Sequence, residues 1–199
     1  MLSVGLRFTT REAAQALVNG EYADALSEAA KACSIDDDAA ADAVRCLQAY
    51  VGEDADAVFH AVRREYTRLF VGTPEAAVSP YAGIYYAEDK GVTPVLYVNT
   101  ESMTVERFMK RCGVDRTAGT NEPLDHIATE LEFLNYLCLV RAQAVQTTRE
   151  VPQDAYEEFY RDRFIAFAKR VCTLLRENTE EPLFSAAARM VLAFPDDPL

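Results

Sequence analysis

Three side chains near residue 126 have the types and spacing that could bind a metal ion. Asp125 and His126 are adjacent, and Glu130 follows in the next turn of a predicted helix. Residues i and i+4 lie on one helix face, so His126 and Glu130 could present two ligands together. A stable site would need further ligands, and the sequence has no second histidine cluster. We therefore favour the structural alternative, in which Asp125 caps the helix and Glu130 pairs with an arginine, over a metal-dependent hydrolase.

Catalytic and cofactor-binding motifs are absent from the sequence. It contains no Gly-x-x-x-x-Gly-Lys-Ser/Thr phosphate loop, no Gly-x-Gly-x-x-Gly and no Gly-x-Ser-x-Gly. The 5 cysteines are scattered without a Cys-x-x-Cys pair, which indicates neither a zinc site nor a disulfide framework. We expect a protein that is not an enzyme and that holds no cofactor or metal.

Two clusters of aromatic and apolar residues flank a proline-bounded loop. Their members are Tyr66, Leu69, Phe70, Pro80, Tyr81 and Tyr85. Aromatic residues at helical spacing usually build a core. The loop between the clusters has no helical or strand periodicity, however, and such a loop can line a groove for an apolar peptide. The residues alone leave both interpretations open.

The hydrophobic pattern predicts an all-α protein. Apolar residues recur at helical spacing between capping and stop signals, and Pro94 interrupts the one strand-like stretch, 92–98, which we interpret as an extended linker. We expect a single domain over residues 1–199, formed as a bundle of roughly eight to ten helices with a long loop after the fourth helix. A second polar loop is predicted at 115–121.

Local signals predict where several helices begin. Thr9 and Glu12 form a candidate capping box for an early helix. Asp54 or Asp56 can cap the helix that carries the first aromatic cluster. The helix with the widest apolar face is predicted at about 125–146, and its width indicates a central position.

The charge of the chain limits its partners. With 32 acidic and 20 basic side chains, the formal net charge is −12 at pH 7, which repels nucleic acid and anionic membranes and attracts cationic partners. No apolar run approaches the roughly 20 residues that span a bilayer, and the N-terminus lacks the features of a secretory signal. We expect a cytoplasmic protein without stable membrane insertion.

Three segments of the sequence carry a family resemblance. They are Glu65-Tyr66-x-x-Leu69-Phe70-x-Gly72, Ser79-Pro80-Tyr81-Ala82-Gly83-Ile84-Tyr85, and Glu122-Pro123-Leu124-Asp125-His126-Ile127-Ala128-x-Glu130-Leu131-Glu132-Phe133-Leu134. In this order and at these separations they resemble the signatures of the TorD/DmsD family of cytoplasmic molybdoenzyme chaperones, also called redox enzyme maturation proteins. The resemblance is clear over about residues 58–140.

The resemblance implies an all-helical chaperone. Such proteins bind the twin-arginine leader and the body of a molybdopterin oxidoreductase precursor, here of the dimethyl sulfoxide reductase superfamily, and delay export until the cofactor is loaded. Carried over by position, the peptide-binding residues are Tyr66, Leu69, Phe70, Pro80, Tyr81, Tyr85, Glu122, Asp125 and His126. We expect a monomer or a domain-swapped dimer.

Two departures from the family pattern affect the identity of the client. The chain has Pro80-Tyr81-Ala82-Gly83 where the family often has Pro-Tyr-Glu-Ser, and residues 164–168 lack the His and Trp common in the family. A NarJ-like assembly factor for a molybdoenzyme that is not exported is the alternative. The Ser79-Pro80-Tyr81 segment favours the TorD/DmsD side.

A receptor for a twin-arginine leader needs an apolar groove beside negative charge. Asp125 could hold an arginine guanidinium through two hydrogen bonds, while burial of apolar leader side chains, at about 25 cal/mol per Å², should contribute more. We therefore predict that Leu69→Ala or Tyr81→Ala weakens leader binding more than Asp125→Asn does.

Overall fold

The computed structural model describes residues 1–72, 76–92, 100–115 and 122–197. Within these ranges the chain is helical and has no strand, apart from one isolated antiparallel bridge between Tyr81 and His126. The all-α prediction is confirmed. Most of the predicted linker at 92–98 and of the predicted loop at 115–121 lies outside the described residues, as do residues 73–75 of the loop after the fourth predicted helix.

Helices account for most of the described residues. They are α1 (Leu2–Gly5), α2 (Arg11–Val18), α3 (Glu21–Ala32), α4 (Asp37–Leu47), α5 (Ala55–Tyr66), α6 (Ala82–Asp89), α7 (Thr100–Arg111), α8 (Ile127–Arg141), α9 (Ala155–Phe159), α10 (Ile165–Asn178) and α11 (Pro182–Leu192). A 3₁₀ turn at Gln48–Tyr50 extends α4, and π-helical turns occupy Thr67–Val71 and Tyr160–Phe164. No helix in the described ranges is long and apolar enough to cross a bilayer.

The chain divides into two compact units. Unit 1 contains residues 1–79 and 168–194, and unit 2 contains residues 80–167 and the residues from Pro195 onwards. In unit 1, α4 packs against α3 and α11, and α2 packs against α5. In unit 2, α6 packs against α7, and α8 packs against α9. The single domain over 1–199 stays a prediction.

Unit 1 has an aromatic core that includes part of the predicted site. Tyr66, at the end of α5, lies 4.8 Å from Phe70 between ring centroids, and Phe70 meets the Phe184 ring edge-on at 5.8 Å. Leu69, in the π turn that follows α5, is fully buried. The helical spacing of these residues therefore builds core.

Unit 2 has a second aromatic core, which holds three of its helices together. Phe108 of α7, Phe133 of α8 and Phe159 of α9 are all buried. Phe133 lies 4.8 Å from Phe159 and 6.1 Å from Phe108 between ring centroids, in edge-to-face pairs of the kind that aromatic quadrupoles favour. This core places one face of α8 inside the unit.

Two of the predicted helix starts can be compared with the structure. Thr10, and not Thr9, caps α2: its hydroxyl accepts a hydrogen bond from the Ala13 N–H at 3.2 Å. The predicted capping box of Thr9 and Glu12 is wrong, because Ala13 occupies the N3 position and has no side chain that could complete the box. Of the two predicted alternatives, Asp54 and Asp56, it is Asp54 that caps α5, by accepting a hydrogen bond from the Ala57 N–H at 2.8 Å.

Candidate peptide-binding site

Two segments distant in sequence are joined at the starts of α6 and α8. The Ile127 N–H donates to the Pro80 carbonyl at 2.9 Å, and the Ala82 N–H donates to the Asp125 carbonyl at 2.9 Å. Between these two bonds, Tyr81 and His126 form the isolated bridge. We call residues 80–83 and 125–127 the helix-start junction. It lies entirely in unit 2.

The Asp125 side chain caps the start of α6 and not the start of α8, the helix that follows it in the sequence. Its side chain is buried with 0% exposure, and its Oδ2 accepts a hydrogen bond from the Gly83 N–H at 2.8 Å. Tyr81 precedes α6 and makes no side-chain capping bond to it within the described part of the chain. Asp125 thus satisfies a first-turn amide that a local cap would normally satisfy, from 42 positions away. The prediction that Asp125 caps the helix of Glu130 is wrong.

His126 is the residue that caps α8. Its Nδ1 accepts a hydrogen bond from the Ala128 N–H at 3.1 Å, and the side chain is almost fully buried. The Tyr81 ring meets the imidazole edge-on at 5.3 Å between centroids and is itself half-buried. Because Nδ1 acts as an acceptor, the neutral imidazole carries its proton on Nε2. The cap and the tyrosine fix the ring in place.

Glu130 is buried one turn into α8. Its side chain is 0% exposed, and neither carboxyl oxygen has a hydrogen-bond partner among the described residues. Burial raises the pKa of Glu130 well above its ordinary value, and the nearby Asp125 carboxylate raises it further, while Arg163 acts in the opposite direction. The predicted ion pair with an arginine is not formed within the described ranges. The described part of the chain also has no group of three or more His, Cys, Asp or Glu side chains suited to a metal ion.

The remaining predicted site residues are mostly buried. In unit 1 these are Tyr66, Leu69 and Phe70. In unit 2, Pro80 is buried, Tyr85 packs on Phe167 with 5.7 Å between ring centroids, and Glu122 is half-buried. The structure brings Pro80, Tyr81, Asp125 and His126 together in unit 2. The complete peptide-binding set stays a prediction.

Sequence reasoning missed a cavity of about 690 Å³ in unit 2, where α8 ends and α9 begins. Its lining combines apolar, acidic and basic side chains, among them Leu137, Val140, Pro152, Tyr156, Asp154, Glu157 and Arg141. Glu157 accepts a hydrogen bond from Arg141 at 2.7 Å. The predicted site residues do not line this cavity. No sequence signal marks it, because it exists only where α8 packs against α9.

Comparison with known proteins connects the chain to one family. The family model described as nitrate reductase delta subunit matches residues 35–173, which is more than half of the chain. Similar curated proteins include those named Chaperone protein TorD from Photobacterium profundum, 25% identical over 131 residues, from Vibrio vulnificus (strain YJ016), 24% over 132 residues, and from Vibrio cholerae (strain ATCC 39541 / Classical Ogawa 395 / O395), 29% over 135 residues. The three alignments cover 65% of this chain and 58%, 59% and 57% of those proteins, so the chain spans less than two thirds of their length. No solved structure matches the chain.

Proposed function

We propose that the protein is a maturation chaperone for a molybdopterin oxidoreductase. The premise is that the chain belongs to the family whose model is described as nitrate reductase delta subunit, which is the TorD family of molybdoenzyme chaperones. In this proposal it works in the cytoplasm, binds the twin-arginine leader and the body of the precursor, and holds the precursor for cofactor insertion before export or assembly. The acidic net charge of −12 suits a basic leader.

The observation that carries the proposal is the helix-start junction. It joins the Ser79–Tyr85 segment to the Glu122–Leu134 segment, and the same segments carry the family resemblance. Hydrogen bonds at Pro80, Ala82 and Gly83 fix the backbone on both sides of Tyr81. A receptor that is already ordered loses less conformational entropy when its peptide binds. The junction therefore supports a preformed binding surface around Tyr81.

Burial assigns different roles to the residues of the proposed site. Tyr81 and Glu122 are half-buried, so their side chains can contact a peptide directly. Asp125 is fully buried, so we propose that it supports the surface from beneath, whereas the equally buried Leu69 belongs to the core of unit 1. In this arrangement Glu122, and not Asp125, faces the leader arginines. A carboxylate with access to solvent can pair with a guanidinium without first breaking a buried hydrogen bond.

Titration calorimetry with a synthetic leader peptide tests this arrangement. The peptide carries a twin-arginine basic region and the following apolar stretch, and a second peptide replaces both arginines by glutamine. We expect Tyr81→Ala to weaken binding by about tenfold or more, as truncation of an aromatic anchor commonly does. Tyr136→Ala, at a half-buried tyrosine of α8 in the same unit, is the matched control. Equal affinities of Tyr81→Ala, the control and the unmodified protein would refute the site.

The charge component of leader binding has its own readout. Salt screens the attraction between the acidic protein and the basic peptide over about 8–10 Å at physiological ionic strength. We expect the association rate to fall with added salt while the dissociation rate changes less. Glu122→Gln should reduce the salt dependence. An association rate that does not depend on salt would contradict a role for the acidic surface.

A NarJ-like assembly factor for a client that is not exported is the second candidate. It is favoured by the description of the matching family model as nitrate reductase delta subunit. Affinity capture from the native host, followed by mass spectrometry of the client N-terminus, separates the two. An uncleaved twin-arginine leader supports the proposed function, and a molybdoenzyme without a leader supports the alternative. Failure to capture any molybdoenzyme would contradict both.

A further inference from the structure

A pocket of about 300 Å³ in unit 2 is lined by three arginines. Arg107 and Arg111 come from α7, Arg163 comes from the π turn at Tyr160–Phe164, and the remaining lining residues are Thr104, Phe108 and Glu158. Thr104, Arg107, Phe108 and Arg111 occupy positions i, i+3, i+4 and i+7 and so share one face of α7. We call this cavity the arginine pocket.

The Phe108 ring organises two of the guanidinium groups. The guanidinium carbon of Arg111 lies 4.4 Å from the ring centroid, and that of Arg163 lies 5.7 Å from it. Both distances are within the range of cation–π contacts, which hold a guanidinium near an aromatic ring. Arg163 also donates from Nη1 to the Thr104 hydroxyl at 3.1 Å. These contacts place the guanidinium groups of Arg111 and Arg163 together in the arginine pocket.

The pocket has more positive than negative charge. Glu158 is the carboxylate among its lining residues, and it already accepts a hydrogen bond from Arg111 at 2.6 Å. Arg107 donates from Nε to the Met103 carbonyl at 3.2 Å. Within the described ranges, neither Arg107 nor Arg163 lies within ion-pair distance of a carboxylate. Among the described residues, these two guanidinium charges therefore have no carboxylate partner, although acidic side chains outnumber basic ones by 32 to 20 in the sequence.

Arg163 carries a further indication of a ligand. Its Nε is buried and has no hydrogen-bond partner in the described part of the chain. Buried donors in native proteins nearly always have a partner, and an ion or a water often supplies it. Glu130, the nearby buried acid, carries less negative charge than an ordinary glutamate, because burial holds its pKa well above the usual range.

We propose that the arginine pocket binds a phosphate group, either free or carried by a small phosphorylated molecule. The planar guanidinium matches the geometry of phosphate oxygens. A phosphate monoester carries a charge of about −1.5 to −2 at neutral pH, which balances the charges of Arg107 and Arg163. A single carboxylate would balance only one of them. The arginine pocket shares no lining residue with the helix-start junction, and its assignment does not depend on the proposed chaperone function.

Calorimetric titration of the intact protein with inorganic phosphate, at constant ionic strength, tests the site. Arg107→Gln and Arg163→Gln should each weaken phosphate binding by about tenfold, and the double variant should weaken it further, because each removes a charge-assisted hydrogen bond. Arg161→Gln is the control. It removes a cation of the same π turn that pairs with Asp197 outside the pocket, so it should leave phosphate affinity unchanged.

Two further probes distinguish the source and the chemistry of the ligand. Glycerol 3-phosphate represents a phosphate carried on a small molecule; tighter binding than inorganic phosphate would identify a phosphorylated ligand, and weaker binding would identify free phosphate. Acetate should bind at least about tenfold more weakly than phosphate, because it carries a single charge. Acetate affinity equal to that of phosphate would overturn the assignment. So would phosphate binding that persists unchanged in Arg107→Gln, which alters an exposed side chain and should fold normally.

Discussion

Glu130 offers a test of how burial and charge act together in unit 2. The side chain has no exposed surface and no hydrogen-bond partner among the described residues, and the Asp125 carboxylate is close enough to raise its pKa further. Ionising this carboxyl in the folded protein is costly, because a buried charge loses its hydration. Glu130→Gln removes the ionisable group while nearly conserving the shape of the side chain.

The expected pH dependence follows from the raised pKa. Because the folded-state pKa lies above the ordinary value of 4.5, the folded protein binds an additional proton between these two values. The stability contributed by the neutral carboxyl is fully present below pH 4.5 and is lost as the pH rises through the folded-state pKa. For one proton this loss is about 1.4 kcal/mol per pH unit within that interval. Glutamine cannot ionise, so this component should disappear in the variant.

Urea unfolding followed by circular dichroism, at pH values from 4 to 8, measures the difference. We expect the free energy of unfolding of Glu130→Gln, relative to that of the unmodified protein, to increase as the pH rises. The glutamine amide adds a buried donor that costs about 1–3 kcal/mol if it is unpaired, but this cost does not depend on pH. Glu132→Gln, at an exposed position of α8, is the control. Parallel pH profiles for Glu130→Gln and the unmodified protein would refute the reasoning.

Three more substitutions test the supporting structure. Asp125→Ala should lower the free energy of unfolding by about 1–3 kcal/mol, because it leaves the buried Gly83 N–H without its acceptor; hydrogen exchange at Gly83 should accelerate, and an unchanged rate would contradict the capping role. Leu69→Ala should cost about 2–5 kcal/mol in urea unfolding, since it opens a cavity at a fully buried site, and a loss below about 1 kcal/mol would contradict tight packing there. Glu65→Gln should weaken the clamp in which Glu65 accepts two hydrogen bonds from Arg68, at 2.7 and 2.8 Å. The Arg68 bonds lower the pKa of Glu65, so the stability that these bonds contribute should fall as the pH drops through that pKa. In urea unfolding at a series of pH values, Glu65→Gln should therefore reduce the dependence of the unfolding free energy on pH in the acid range.

These variants also separate stability from binding at the proposed site. Leu69 and Asp125 are fully buried, so loss of leader binding in Leu69→Ala or Asp125→Asn would follow from a damaged fold as well as from a lost contact. Tyr81 is half-buried and contributes a side chain to the surface, which makes it the more direct probe. Leader binding should therefore be compared only among variants whose unfolding free energies have been measured.

The local features of the fold were predictable from sequence because they depend on neighbouring residues. Helical periodicity predicted the all-α class. The cap of α5 was narrowed to Asp54 or Asp56, and Asp54 is the cap because its acceptor lies three residues from the amide that it satisfies. The predicted helix at 125–146 begins at Ile127 and ends at Arg141, since capping geometry decides its ends and periodicity does not. The residues of the family signature were likewise visible in the sequence alone.

Tertiary structure decided the surroundings of those residues. The sequence predicted that Asp125 caps the helix of Glu130 and that Glu130 pairs with an arginine. The fold instead directs Asp125 to the Gly83 amide and leaves Glu130 buried without a hydrogen bond in the described part of the chain. The same holds for Arg107 and Arg163, which are far apart in sequence and meet in one pocket. Spacing along a helix determines which residues share a face, but the hydrogen-bond partners, burial and pKa of a side chain depend on which distant segments pack against it.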